Sequence, residues 1–198
     1  QLQQELYQRN DYNFIRLEYG RELPQDTITD NKYTRSAATL EQWLKQGILE
    51  VDEVPAIYLH DQYFRHQGRS CKRRGITARI RLEEWDKLII RPHEGTMAEP
   101  KSDRLSMLWA LQANTSPILA LFDDQGQKIA TLLLAAQERS QPLRNSTNID
   151  GESHVVWAIT EPEAINRIAS SLARQPLYIA DGHHRYESAL AYQRERRT

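Results

Sequence analysis

The sequence predicts an α+β fold, a mixed α/β arrangement with a hairpin-rich centre. Three observations carry that expectation. Helical spacing of apolar residues recurs in separate segments such as 33–46 and 161–174. β-branched and aromatic residues cluster in the middle, at 56–64 and 75–82. Near the end, the apolar run Leu177-Tyr178-Ile179-Ala180 passes through Asp181-Gly182-His183-His184-Arg185 into a helix-like tail. The chain has 198 residues, 39% of them hydrophobic and 27% charged, so it is globular and not disordered. We read 1–198 as one α/β domain, or a fragment of a longer chain, with a possible subdivision near 92–101.

Taken in order, residues 2–9 read as a helix, and "YNFIRLEYG" (12–20) as a short alternating strand ending at Gly20. "RELPQDTITDNK" is a loop. Tyr33, Ala37, Leu40 and Leu44 define an amphipathic helix over 33–46, stopped by Gly47. A hairpin then joins 56–64 to 75–82 across the basic stretch "RHQGRSCKRR", with Gly68 at the turn. That stretch reads as an exposed cationic tip, with phosphate steering as the alternative.

Further on, "WDKLIIRPHEGT" (85–96) runs from an apolar segment into Pro92, His93 and Glu94. A helix over 100–117 follows, with Ser102 or Asp103 as its cap and Leu105, Leu108, Trp109 and Leu111 on its apolar side. "ILALFDD" (118–124) reads as a buried strand, 128–139 as a helix, 140–153 as a loop and 154–159 as a strand. Thr160 and Glu163 have capping-box spacing, with Pro162 in the first turn of the helix 161–174. The strand 177–180 and a final helix complete the chain. Trp109 and Trp157 are expected in the core, Trp43 and Trp85 at element edges.

Charge and cysteine content narrow the function. The 26 Lys and Arg against 27 Asp and Glu leave a net charge of −1, which disfavours nucleic-acid binding driven by overall charge. Cys71 is the one cysteine, so no intramolecular disulfide forms, and a reducing, cytoplasmic setting fits. No apolar run approaches the ~18 residues that span a bilayer. Both ends begin or stop as if inside a helix, which is the basis for reading the chain as a fragment.

The joint at 181–185 carries the chemistry. A helix N-terminus offers unpaired N–H groups and partial positive charge, which bind anions. Gly182 permits a sharp turn and close approach of a ligand. His183, His184 and Arg185 in the first helical turn oppose the macrodipole unless an anion sits there, and a guanidinium fork suits phosphate. Asp181 caps the helix, or holds a metal or a histidine N–H. Two other readings compete: an ordinary Asp cap beside surface histidines, and a metal held by His183 and His184. Adjacent helical positions diverge by ~100°, so those two rings do not chelate one ion readily, and no metal-ligand set is assigned. A second grouping is His93 and Glu94 at the mouth of the apolar 88–90 run, where a carboxylate can act as general base. Asp103 and Arg104 reach the same place or decorate a helix start. His60, His66 and His154 read as unremarkable, and the basic surroundings of Cys71 can lower its pKa.

"YNFIRLE", "PAIYLHDQYF", "GITARIRLEEW", "RPHEGT", "DRLSMLWALQANTSPILALF" and "YIADGHHRYESAL" resemble, in order, the blocks of domain-of-unknown-function family 1015. That resemblance implies a full-length protein longer on both sides. The pattern strand-x-Gly-x-x-Arg-x-x-x-Ala, met here by Gly182, Arg185 and Ala189, is also similar to the signature of the ParB and sulfiredoxin superfamily. It implies a ParB/sulfiredoxin-like mixed sheet with flanking helices, and a turn that holds a nucleotide's phosphates. In the free-serine kinases of that superfamily a Pro-His-Glu-like stretch supplies a glutamate that activates the acceptor hydroxyl; Pro92, His93 and Glu94 resemble it. The chain lacks the arginine-rich helix of the ParB proteins. His183 stands where sulfiredoxin has its cysteine, which disfavours both of those activities.

The expectation is therefore a nucleotide-dependent phosphoryl-transfer enzyme, a small-molecule kinase using ATP or ADP with Mg²⁺ and a hydroxyl-bearing substrate. Gly182, His183, His184 and Arg185 would cradle phosphates, Glu94 with His93 beside it would activate the acceptor, and Asp181 would hold Mg²⁺. The alternatives are a nucleotide-binding regulatory module and a metal-assisted phosphatase or nuclease. No membrane or nucleic-acid partner is expected.

Overall fold

The computed structural model describes residues 2–95, 98–148 and 150–197. Strands and helices mix as an α+β fold requires. The chain forms two compact units. The first comprises Gln1–Val51, Leu82–Leu121 and Tyr178–Thr198, the second Asp52–Arg81 and Phe122–Leu177. The segment 92–95 belongs to the first unit.

The second unit is built on the hairpin. Strands β1 (Ile57–His66) and β2 (Arg69–Thr77) pair antiparallel from Tyr58 opposite Thr77 to His66 opposite Arg69. Gln67 and Gly68 both take positive φ, 50° and 76°, as a two-residue hairpin turn that matches strand twist requires. The basic stretch is thus mostly strand, not loop. Alternation turns two of its cations onto Asp61: Arg74 donates to both carboxylate oxygens at 2.7 Å, and Lys72 Nζ lies 2.9 Å away. Arg73 instead donates to Gln62. Burial opposes charge on the fully buried Asp61, and the Arg74 and Lys72 hydrogen bonds override it, holding its carboxyl below the ordinary range.

Two more strands extend this sheet to the order β2-β1-β6-β5: β5 (Arg144–Thr147) and β6 (Ser153–Ile159). β5 falls where a loop was expected. It is polar and exposed throughout, so it carries no hydrophobic alternation to betray it. Helices α5 (Lys128–Glu138) and α6 (Pro162–Leu172) pack on each other, and α5 also packs on β6. Ile57, Leu59, Ile129, Leu133, Trp157, Ile159 and Ile168 form the core. The expected Thr160 cap is not made: Glu161 takes the N-cap position without a side-chain hydrogen bond, and Pro162 opens the helix.

The first unit contains α1 (Leu2–Arg9), α2 (Ile15–Glu18), α3 (Lys32–Lys45), α4 (Ala98–Leu111) and α7 (His183–Glu195), with α4 packed on both α3 and α7, and a sheet of order β3-β7-β4. Its strands are β3 (Ile90–Arg91), β4 (Leu119–Leu121) and β7 (Leu177–Asp181). The expected strand at 12–20 is instead the short helix α2, which buries Leu17 completely. Asn31 starts α3 with a capping box: its side-chain oxygen accepts from the Tyr33 and Thr34 N–H groups, and the Asn31 backbone N–H donates to the Thr34 hydroxyl. The buried face of α3 holds Ser36 and Trp43, while Leu44 is exposed. α4 begins earlier than expected, so Ser102 and Asp103 lie inside it and do not cap it. β4 is an edge strand that leaves Leu119 and Leu121 exposed, contrary to the buried strand expected. Trp157 is buried as expected, whereas Trp109 is exposed and Trp43 is not. Among the described residues no helix is long and apolar enough to cross a membrane.

Candidate functional site

The site lies wholly in the first unit, where β7 ends and α7 begins. β7 is the central strand, flanked by β4 antiparallel and by β3. Pairing β3 beside β7 delivers the residues after Arg91 to the start of α7. This is the physical reason two distant segments meet.

His93 is held at both ends of its contact with the joint. Its ring Nδ1 donates to the Ile179 carbonyl at 2.8 Å, and its backbone N–H donates to His183 Nε2 at 3.3 Å. The two imidazole rings stand perpendicular, with centroids 4.5 Å apart. His183, the first residue of α7, is 1% exposed. Its Nδ1 lies 3.0 Å from Glu94 Oε1, close enough for charge contact. The two groups are not aligned for a hydrogen bond, so among the described residues this buried nitrogen has no hydrogen-bond partner. The Glu94 side chain itself is 56% exposed and reachable from solvent.

Asp181, Gly182 and Arg185 form a second grouping on the same turn. Arg185 donates one N–H to the Pro117 carbonyl at 2.7 Å and another to the Asp181 carboxylate. Gly182 has φ +100°, where side chains are strained. A Cβ there would lie 2.9 Å from both Nε and Nη2 of Arg185. The glycine therefore makes room for the arginine's own guanidinium, in place of the close ligand approach expected from sequence. Asp181 does not cap α7, whose start has no side-chain cap hydrogen bond. Arg185 also lines a cavity of about 30 Å³ with Arg104, Asn114, Thr115 and Ser116, water-sized in this arrangement. His184 is half-buried, and its carbonyl accepts the Ser188 hydroxyl at 2.7 Å.

Of the residues singled out from sequence, the fold brings His93, Glu94 and His183 into contact and locks Asp181, Gly182 and Arg185 together beside them. It gives Asp103 a different task. Tyr33 Oη donates to Asp103 at 2.9 Å, and Lys32 Nζ lies 2.8 Å from it. Burial disfavours the charge on Asp103, but the Lys32, Tyr33 and Arg104 hydrogen bonds outweigh it and lower its pKa. Lys32, Asp103 and Arg104 line a separate cavity of about 350 Å³ with Glu18, Gly20 and Met107.

Sequence reasoning passed over Tyr186. It is 1% exposed, and its hydroxyl donates to the Glu83 carbonyl at 2.8 Å while accepting the Glu83 N–H at 2.9 Å. Its ring packs on Trp85, with centroids 4.6 Å apart. The tyrosine thereby ties the 83–85 segment to α7. Its only sequence signal is its place three residues after His183.

Compared with known proteins, the whole chain, residues 1–198, matches the model of a family described as "Protein of unknown function (DUF1015)". The chain belongs to this family. No curated protein and no solved structure matches it significantly. Membership covers both described halves of the site, the 90–94 segment and the 177–190 segment, within one family unit.

Proposed function

We propose that this member of the family is a nucleotide-dependent phosphoryl-transfer enzyme acting on a small hydroxyl-bearing substrate, with ATP or ADP as donor. The observation that carries the reading is Glu94, an accessible carboxylate held 3.0 Å from the first residue of α7. A base without a donor site has nothing to activate, and the start of a 13-residue helix after a glycine turn suits phosphate. The superfamily resemblance of Gly182, Arg185 and Ala189 points the same way.

In this reaction the acceptor hydroxyl gives its proton to the Glu94 carboxylate as its oxygen bonds to the terminal phosphorus. The bond from that phosphorus to the bridging oxygen breaks, and the shortened nucleotide leaves. Arg185 supplies a planar fork for phosphate, for which the anion competes with Asp181. The Asp181 carboxylate is engaged by Arg185, so it fits the Mg²⁺ role poorly in this arrangement. Mg²⁺ enters with the nucleotide, neutralising its phosphates.

Calorimetry with ATP and ADP, each with and without Mg²⁺, tests binding. Product analysis with serine and other small hydroxyl compounds tests transfer. Binding with transfer supports the proposal; binding without transfer leaves a regulatory nucleotide module; no binding overturns it.

A further inference from the structure

We propose that His93, Glu94 and His183 form a binding site for a divalent first-row transition ion of the zinc type. The proposal does not depend on nucleotide binding or phosphoryl transfer. One ligand-type atom from each of these residues lies within 4.8 Å of the others, across two segments of the chain. A tetrahedral zinc ion with bonds of 2.0–2.1 Å holds its ligand atoms about 3.3 Å apart. Glu94 Oε1 and His183 Nδ1, at 3.0 Å, lie close to that spacing. The third ligand-type atom, on His93, lies within 4.8 Å of both.

Two features separate this cluster from an incidental grouping. The first is the hydrogen bond from His93 Nδ1 to the Ile179 carbonyl. It places the ring proton on Nδ1 and leaves the Nε2 lone pair for the ion, and a backbone carbonyl is a usual outer partner of a ligating histidine. The second is His183 Nδ1, a nitrogen on a fully buried ring with no hydrogen-bond partner among the described residues, facing the Glu94 carboxylate. A metal ion would satisfy it.

Ligation through Nδ1 has one consequence. The His183 ring must carry its proton on Nε2, which now accepts the His93 N–H at 3.3 Å. That hydrogen bond belongs to the metal-free chain and is exchanged for the metal bond when the ion binds. Two imidazoles and one carboxylate leave a tetrahedral ion one open position, and His93 and Glu94 face solvent there. This is an open site of the kind that polarises a bound oxygen ligand.

The test uses the purified chain, stripped with chelator and free of nucleotide, titrated with Zn²⁺ by calorimetry and with Co²⁺ by visible absorption. The expected result is one ion per chain, with the intense absorption of low-coordinate Co²⁺. Losing only an outer-shell partner weakens metal binding 10–100-fold, so His93→Ala and Glu94→Gln should each weaken it at least ~100-fold. Circular dichroism and Tm of the metal-free variants check that each keeps the fold. A second histidine pair, His60 and His154, lies in the other unit with ring nitrogens 3.0 Å apart. Zn²⁺ binding that survives His93→Ala and disappears in His154→Ala overturns the proposal, as does the absence of binding. Because nucleotide is left out, failure here leaves the phosphoryl-transfer reading to its own test.

Discussion

The backbone N–H of His93 donates to the Nε2 of His183, 90 positions later in the chain, at 3.3 Å. Neither residue lies in the sheet. Each follows one of two neighbouring strands, β3 and β7, whose pairing brings them together. The site therefore inherits its geometry from the sheet, and variants that disturb the joint should report on both.

Gly182 offers a direct test of the joint. Gly182→Ala adds a Cβ at φ +100° and 2.9 Å from the Arg185 guanidinium. The positive φ alone costs about 1–3 kcal/mol. In urea unfolding, Gly182→Ala should lose at least that much. Adding Arg185→Ala should restore the steric share but not the backbone share, a positive coupling in a double-mutant cycle. Strict additivity would show that the guanidinium does not lie over the glycine.

Tyr186→Phe removes a buried hydroxyl and leaves both the N–H and the carbonyl of Glu83 without that partner. The expected loss is about 1–3 kcal/mol, read as a lower Tm. Because the ring stays on Trp85, near-ultraviolet circular dichroism should change little. An unchanged Tm would contradict the anchoring role given to this hydroxyl.

Asp61 predicts a pH dependence in the second unit. Its folded pKa lies below the unfolded value, since Arg74 and Lys72 overcome its burial. Its contribution is therefore fully present above the unfolded pKa, about 4, and is lost as pH falls through the lower folded value. Asp61→Asn should cost ~2 kcal/mol or more at pH 7, less than for a wholly buried pair because Lys72 and Arg74 are partly exposed. The difference from wild type should shrink as pH drops below ~4. A pH-independent difference would contradict the ion pairing.

What the sequence made legible follows from where periodicity is strong. The helices α3, α5, α6 and α7 and the strands β1, β6 and β7 sit close to where spacing and β-branched runs put them. The stretch 12–20 reads as a strand from its aromatic and β-branched content, whereas the short helix α2 there buries Leu17 alone. β5 has no apolar residue, and β2 reaches into a basic stretch because Asp61 neutralises two of its cations. At the site, the turn at 181–185 and the pair 93–94 were both visible as unusual chemistry. Their contact was expected too, since a base and a phosphate cradle make chemical sense only in one pocket, and the pairing of the short strand β3 beside β7 delivers it. The partners of Arg185 were hidden: Pro117 is 68 positions away, and nothing in its sequence context marks its carbonyl.

The central claim, that Glu94 acts as base for a phosphoryl group held at the start of α7, is tested most directly by separating binding from turnover. With nucleotide and Mg²⁺, and with transition metals removed by chelation, nucleotide affinity is measured by calorimetry and transfer to a hydroxyl acceptor by product analysis. Wild type, Glu94→Gln and Arg185→Ala are compared. The account predicts that Glu94→Gln keeps its affinity within about 2-fold while losing at least ~100-fold in turnover, whereas Arg185→Ala loses both. A Glu94→Gln variant that transfers phosphate at the wild-type rate would contradict it.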